Sequence, residues 1–187
     1  MPVRLLSWVE LSVWWFAWAY PFIFRAPHVQ KRASITVATP TRVGLLLECI
    51  AILLAFVFRM PPTHPPGVWR TAAAAICGPI AAVLAWTSVT HLGRQFRFHA
   101  GLYHDHVLVR TGPYAIVRHP IYASLLAILL CTLLLLTAWQ AIPISLAVFI
   151  CGTEIRVHSE EQLLASRFGE QFEAYRQSVS AYIPFVR

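Results

Sequence analysis

Two polar stretches hold the side chains whose types and spacing could do chemistry. The first contains Arg94, Arg97, His99, His104, Asp105, His106, Arg110, Arg118 and His119, with Tyr122 just beyond, and the second Glu154, Arg156, His158, Glu160 and Glu161. Gly112-Pro113 marks a turn and Pro120 suits the first turn of a helix. Arg118 and His119 therefore stand where that helix begins. Positions three apart on a helix are neighbours, so His119 and Tyr122 can face one pocket. The unpaired backbone donors of such a helix start are a natural place for a carboxylate. Arg156 and Glu160, four apart, share a helical face. A local salt bridge worth roughly 0.2–0.5 kcal/mol accounts for that spacing. A binding site accounts for it equally well, because Glu154 and Arg156 directly follow an apolar run. Charges there are costly unless they pair or bind something charged, and a zwitterionic ligand would suit facing Arg and Glu groups.

Other chemistries fit less well. The histidines lack the two-His, i and i+4 arrangement on an expected helix that marks a zinc motif, and no metal is expected. Gly93, Gly101 and Gly112 are scattered, with no preceding strand and no P-loop lysine. No Ser or Cys sits in a nucleophile elbow. Cys49, Cys77, Cys131 and Cys151 lie in or at the edge of apolar runs. Their spacing fits neither a zinc knuckle nor a CxxC pair, and they are expected to be small buried hydrophobes.

The elements that must position these residues are membrane helices. Of 187 residues 58% are hydrophobic and 12% charged, and the mean hydropathy is +0.61. A soluble domain is about one quarter charged, so this chain could not cover its own surface with polar groups. Seven tryptophans suit a lipid–water boundary. The net charge of +7 forms no dense stripe and no nucleic-acid module; it fits anchoring beside anionic lipid. The start of the chain does not read as a cleavable signal peptide.

Apolar segments run over 11–24, 43–58, 71–91 and 121–152, broken by Met60-Pro61-Pro62 and His64-Pro65-Pro66-Gly67. The last is too long for one crossing of about 20 residues and short for two. It reads as a tight helical hairpin turning near Thr137 to Gln140, with one arm continuing past the membrane surface. A single long tilted helix is the alternative. The expected fold is thus a single all-α domain over 1–187, a polytopic integral membrane protein with about five transmembrane helices. Segments 25–42, 93–119 and 154–187 hold four Lys or Arg each, against Arg4, Arg59 and Arg70 on the other side. That bias puts the N terminus outside and both chemistry-bearing segments in the cytoplasm.

The stretch Leu108-Val109-Arg110-Thr111-Gly112-Pro113-Tyr114 through Arg118-His119-Pro120-Ile121-Tyr122 resembles the signature of the isoprenylcysteine carboxyl methyltransferase family. The tail, with Glu160-Glu161, Leu164, Phe168-Gly169, Phe172, Tyr175, Val179 and Ile183-Pro184, is similar to its second block, and Leu92-Gly93-Arg94 to a short motif upstream. The resemblance covers residues 83–187 and is to the compact prokaryotic-type members in length. It implies a membrane methyltransferase that uses S-adenosyl-L-methionine, enclosed by C-terminal helices and loops over 93–187 in a cytoplasmic pocket. By that resemblance Leu108 and Val109 line the adenosine region, while Arg118, His119, Tyr122, Glu160 and Glu161 contact the cofactor. Arg156 is the catalytic and substrate-orienting arginine, and Tyr175 helps close the substrate pocket. The implied acceptor is a carboxylate on a lipid-like, prenylcysteine-type molecule entering from a prokaryotic inner or plasma membrane. No nucleic acid and no obligate protein partner are expected. Alternatives within reach of the same residues are a phospholipid amine N-methyltransferase, a membrane sterol-type reductase and a non-enzymatic structural membrane protein.

Overall fold

A computed structural model describes residues 2–25, 40–61, 63–93, 96 and 107–186. His99, His104, Asp105 and His106, together with most of the segment 25–42, lie outside the described residues. Among those described the fold is all-α: α1 (Pro2–Phe24), α2 (Pro40–Val57), α3 (Val68–Leu92), α4 (Pro120–Leu136), α5 (Ile142–Phe168) and α6 (Glu170–Ser178). Short 3-10 turns at Gly112–Ala115 and Trp139–Ala141 precede α4 and α5.

The first five helices alternate in direction. Trp8 of α1 stacks on Phe56, at the end of α2, while Tyr20 stacks on Trp86 near the end of α3. The indole N–H groups of Trp15 and Trp18 donate to Thr132 Oγ1 and Ser124 Oγ of α4, both at 3.1 Å. Small residues let α3 come close: Ala74, Ala81 and Ala85 are fully buried. Gly78 meets the Trp14 ring where any Cβ would collide with it. The central helix is α4, whose Ile128, Leu129, Cys131 and Leu133 are completely buried. On its other side lies α2, packed against α5. Outward from this core the surface is apolar, with Phe16, Leu46, Leu53, Ile76, Val83 and Ile144 all exposed. An apolar surface of this extent fits lipid rather than water.

The expected hairpin is present, since α4 ends at Leu136 and α5 starts at Ile142. With 27 residues α5 is about 40 Å long, more than the roughly 30 Å of hydrocarbon. It carries the chain from the apolar run into the charged tail without a break. The crossing count differs from the five expected. By length and composition three helices among the described residues can cross a membrane, namely Pro40–Val57, Val68–Leu92 and the helical stretch Trp139–Phe168. The apolar α4 spans 17 residues, about 26 Å, at the short limit of what crosses the hydrocarbon. The 23-residue α1 is long enough, and its tryptophans, Glu10 and serines dilute its apolar run.

Burial of the cysteines also differs from expectation. Cys131 is buried and Cys77 intermediate, whereas Cys49 and Cys151 are exposed. Each of the latter pair adjoins a buried residue, Glu48 or Gly152. One residue turns a helix by about 100°, which swings both thiols outward.

The end of the bundle away from the charged tail is tied by Arg70, in the first turn of α3 and 8% exposed. Its guanidinium donates to the carbonyls of Leu133, Leu134 and Thr137 at 2.7, 2.8 and 2.6 Å. The Leu133 carbonyl also accepts the backbone N–H of Thr137 at 3.1 Å, but carbonyls at a helix end run short of partners inside their own helix, and a cation there also meets the negative end of the helix dipole.

Candidate functional site

At the opposite end, the start of α4 and the second half of α5 face each other. His119 is the residue before α4, and Pro120 occupies its first position. The backbone N–H groups of Arg118 and His119 donate to Ser180 and Ala181 carbonyls at 2.8 and 2.7 Å. The segment after α6 therefore returns beneath the start of α4, closing the cluster from below.

Arg118 is 6% exposed and His119 7%. The Arg118 guanidinium donates to Glu161 Oε1 through Nε at 2.9 Å and Nη2 at 2.6 Å. Its Nη1 donates to the carbonyls of Arg176, at 3.1 Å, and Val179. His119 lies between two carboxylates, with Nε2 3.3 Å from Glu161 Oε1 and Nδ1 3.5 Å from Glu160 Oε2. Burial by itself would depress this imidazole, but the hydrogen bonds and charges of Glu160 and Glu161 outweigh it and its pKa is raised. The Tyr122 hydroxyl donates to Glu160 Oε1. The His119 and Tyr122 rings are 5.7 Å apart, as their three-residue spacing suggested.

Arg156 does not pair with Glu160, the residue one turn along its own helix. Its Nη1 instead reaches across to Glu48 Oε2 of α2 at 2.5 Å. The guanidinium carbon lies 4.8 Å from the centre of the Tyr122 ring. Glu48 is 1% exposed, and its other oxygen accepts from Thr153 Oγ1 at 3.1 Å. Nearby, the Tyr182 hydroxyl donates to Glu154 Oε1 at 2.8 Å. An unbroken polar chain thus runs from Glu48 through Arg156, Tyr122, Glu160, His119 and Glu161 to Arg118.

Of the residues singled out in the sequence, Arg118, His119, Tyr122, Arg156, Glu160 and Glu161 come together here. Tyr175 sits apart on α6, where its hydroxyl donates to the Tyr114 carbonyl at 2.5 Å and its ring faces Arg110. Burial pushes the Tyr175 phenol up to about 12, so it stays a neutral donor. Leu108 and Val109 are half-buried in the coil leading to Gly112. Sequence reasoning passed over Glu48, Thr153 and Tyr182. The available signal for Glu48 was an acid isolated in the apolar run 43–57, a position that marks function by default in a membrane helix.

The arrangement offers carboxylates for a cation, a buried guanidinium for an anion, and an apolar surround. Comparison with known proteins gives this chemistry a context. Residues 74–166 match the model of the isoprenylcysteine carboxyl methyltransferase (ICMT) family. Two relatives named protein-S-isoprenylcysteine O-methyltransferase are from Schizosaccharomyces pombe, 37% identical over 82 residues, and Tribolium castaneum, 40% identical over 83; each alignment takes in 44% of this chain. A third, protein-S-isoprenylcysteine O-methyltransferase B of Arabidopsis thaliana, is 33% identical over 107 residues, 56% of this chain. The matched stretches span 35%, 29% and 54% of those relatives' own lengths. A solved structure of the eukaryotic intramembrane Ras methyltransferase ICMT shares the fold, with a TM-score of 0.56 and 24% identity, over 97% of this chain and 63% of that one. The family model and the relatives make this chain similar to the ICMT family over about half of its length, and the solved structure bears on the fold alone. The relatives named are eukaryotic, so they bear on the family and not on its compact prokaryotic-type division.

Proposed function

Taking the isoprenylcysteine carboxyl methyltransferase family as its own, we propose that this chain transfers a methyl group from S-adenosyl-L-methionine to a carboxylate on a lipid-like, prenylcysteine-type acceptor. The observation that carries the reading is the buried polar chain from Glu48 to Arg118 at one end of an apolar bundle. A soluble cleft is not required, because an apolar tail can stay in lipid while its polar head meets the site.

The residues fit the donor. Glu160, whose side chain is 26% exposed, offers a carboxylate to an ammonium group, with His119 and Tyr122 holding its orientation. Glu161, bound by Arg118 and His119, fixes His119 from behind. Leu108 and Val109 serve the adenosine side, and residues 93–187 carry most of the donor site. When bound, the donor supplies a methyl group activated by a positively charged sulfur.

A carboxylate acceptor already has the electrons it needs, so the protein's task is alignment and exclusion of water. Arg156 suits the acceptor carboxylate, since a guanidinium presents a rigid fork of donors. Tyr175, by tying α6 to the turn before α4, keeps the returning C-terminal segment against the site. Arg25 and Arg42 lie at this end of the bundle, and with the Lys and Arg bias of the sequence they support a cytoplasmic site beside anionic lipid.

A methyl-transfer screen with labelled donor, offering prenylcysteine analogues, fatty acids and phosphatidylethanolamine, tests the proposal. Ester product from a prenylcysteine-type carboxylate is expected. Turnover on the amine lipid alone would overturn the carboxyl reaction.

A further inference from the structure

Helix α2 carries a single acid, Glu48, between Val43 and Val57. We infer that Glu48 is a positioning residue for methyl transfer, which holds one edge of the Arg156 guanidinium so that the other edge is presented to the acceptor carboxylate. The inference rests on the reading of the site as a carboxyl methyltransferase and adds a residue from outside the stretch 74–166 that matches the family.

Several features converge on Arg156. The first is space. A Cβ at Gly44 would fall 2.5 Å from Arg156 Cγ and 2.6 Å from the Gly152 carbonyl oxygen, so the arginine stem runs through room that only glycine leaves. The second is the Tyr122 ring beneath the guanidinium. The third is Glu48, which binds Nη1 while its own carboxylate is kept from turning by Thr153. What remains is the edge made by Nε and Nη2, the edge that meets a carboxylate through two parallel hydrogen bonds. Among the described residues Arg156 Nε is buried and has no hydrogen-bond partner. A buried N–H without an acceptor is costly, and an arriving carboxylate is the group that would relieve it.

A purely structural ion pair explains this less well. Helices α2 and α5 already approach closely at Gly44 and Gly152, and an apolar pair would hold them without stripping water from two charges. The geometry instead makes Glu48 a counter-charge that leaves its arginine half engaged.

The experiment uses full-length protein in lipid, with Glu48→Ala and Glu48→Gln made singly and Glu48→Ala also combined with Arg156→Ala. Donor affinity is measured by calorimetry, and kcat and KM on a prenylcysteine analogue. Glu48→Ala should lower acceptor kcat/KM on the order of 100-fold, as misplacing a reacting group does, with donor Kd within about twofold. Glu48→Gln keeps an oxygen for Nη1 and should recover about tenfold of that loss. In the Arg156→Ala background, Glu48→Ala should cost nothing further. Wild-type transfer by Glu48→Ala overturns the inference, as do equal losses of donor affinity and transfer, or full additivity with Arg156→Ala. Failure of both single variants to fold, read as absent donor binding, overturns it by making Glu48 structural. A wild type that methylates no carboxylate removes the functional reading and the inference together. A wild type that does so, matched by its Glu48 variants, removes the inference alone.

Discussion

At the scale of single residues, the imidazole of His119 is the group whose ionisation the site controls most directly. Glu160 faces Nδ1, Glu161 faces Nε2, Tyr122 binds the first carboxylate and Arg118 the second. A histidine whose pKa is raised on folding contributes stability that is fully present below its ordinary value of 6.5 and lost as pH rises through the elevated value. The unliganded protein in detergent should therefore melt at progressively lower temperature as pH is raised above that point. His119→Asn, which retains a donor but does not titrate, should flatten the slope. Tryptophan-fluorescence melts across pH compare the two; identical slopes would show that His119 does not titrate between its carboxylates as described.

At the scale of elements, the two ends of α4 are held by different means, and each can be probed without the other. The site end is stitched to the returning C-terminal segment, and the far end is capped by Arg70. Arg70→Ala strips three carbonyls of a charged donor and should cost about 3 kcal/mol. The melting temperature should fall by several degrees while donor affinity, measured well below it, stays unchanged. A loss of affinity at low temperature would mean the two ends are coupled. The elements were legible in the sequence where one physical constraint ruled, and less so where two competed. The stretch 121–152 is too long for one crossing, and that alone exposed the hairpin. The tryptophans of α1 read as boundary residues, yet the indoles of Trp15 and Trp18 bind hydroxyls on α4. Arg156 and Glu160 obeyed the local spacing rule, but the guanidinium found its partner 108 residues away. Helical periodicity carries no information about such a contact. Glu48 showed only as an anomaly in an apolar run, because what explains it lies on another helix.

At the scale of the whole molecule, the charged residues sort by end. Among the described residues the polar chain, Arg25 after α1 and Arg42 in the first turn of α2 share one end of the bundle, and the far end holds Arg59 and Arg70. Cysteines introduced singly at His64 and at Val107, both exposed, should label from opposite faces of the membrane, with Val107 reached from the cytoplasm. Labelling of both from one face would refute the orientation. The test needs Cys49 and Cys151 replaced first, since their thiols point outward.

The pairing of Glu48 with Arg156 also sets an order of events in biogenesis. The acid enters with α2, and its counter-charge is synthesised 108 residues later, about 5 to 20 s at ordinary elongation rates. During that interval the nascent chain holds an uncompensated carboxyl group in an apolar helix, a state that lipid tolerates poorly. Helix α2 therefore cannot settle into its final place alone. The site is then completed only by residues 179–182, the last to close over it.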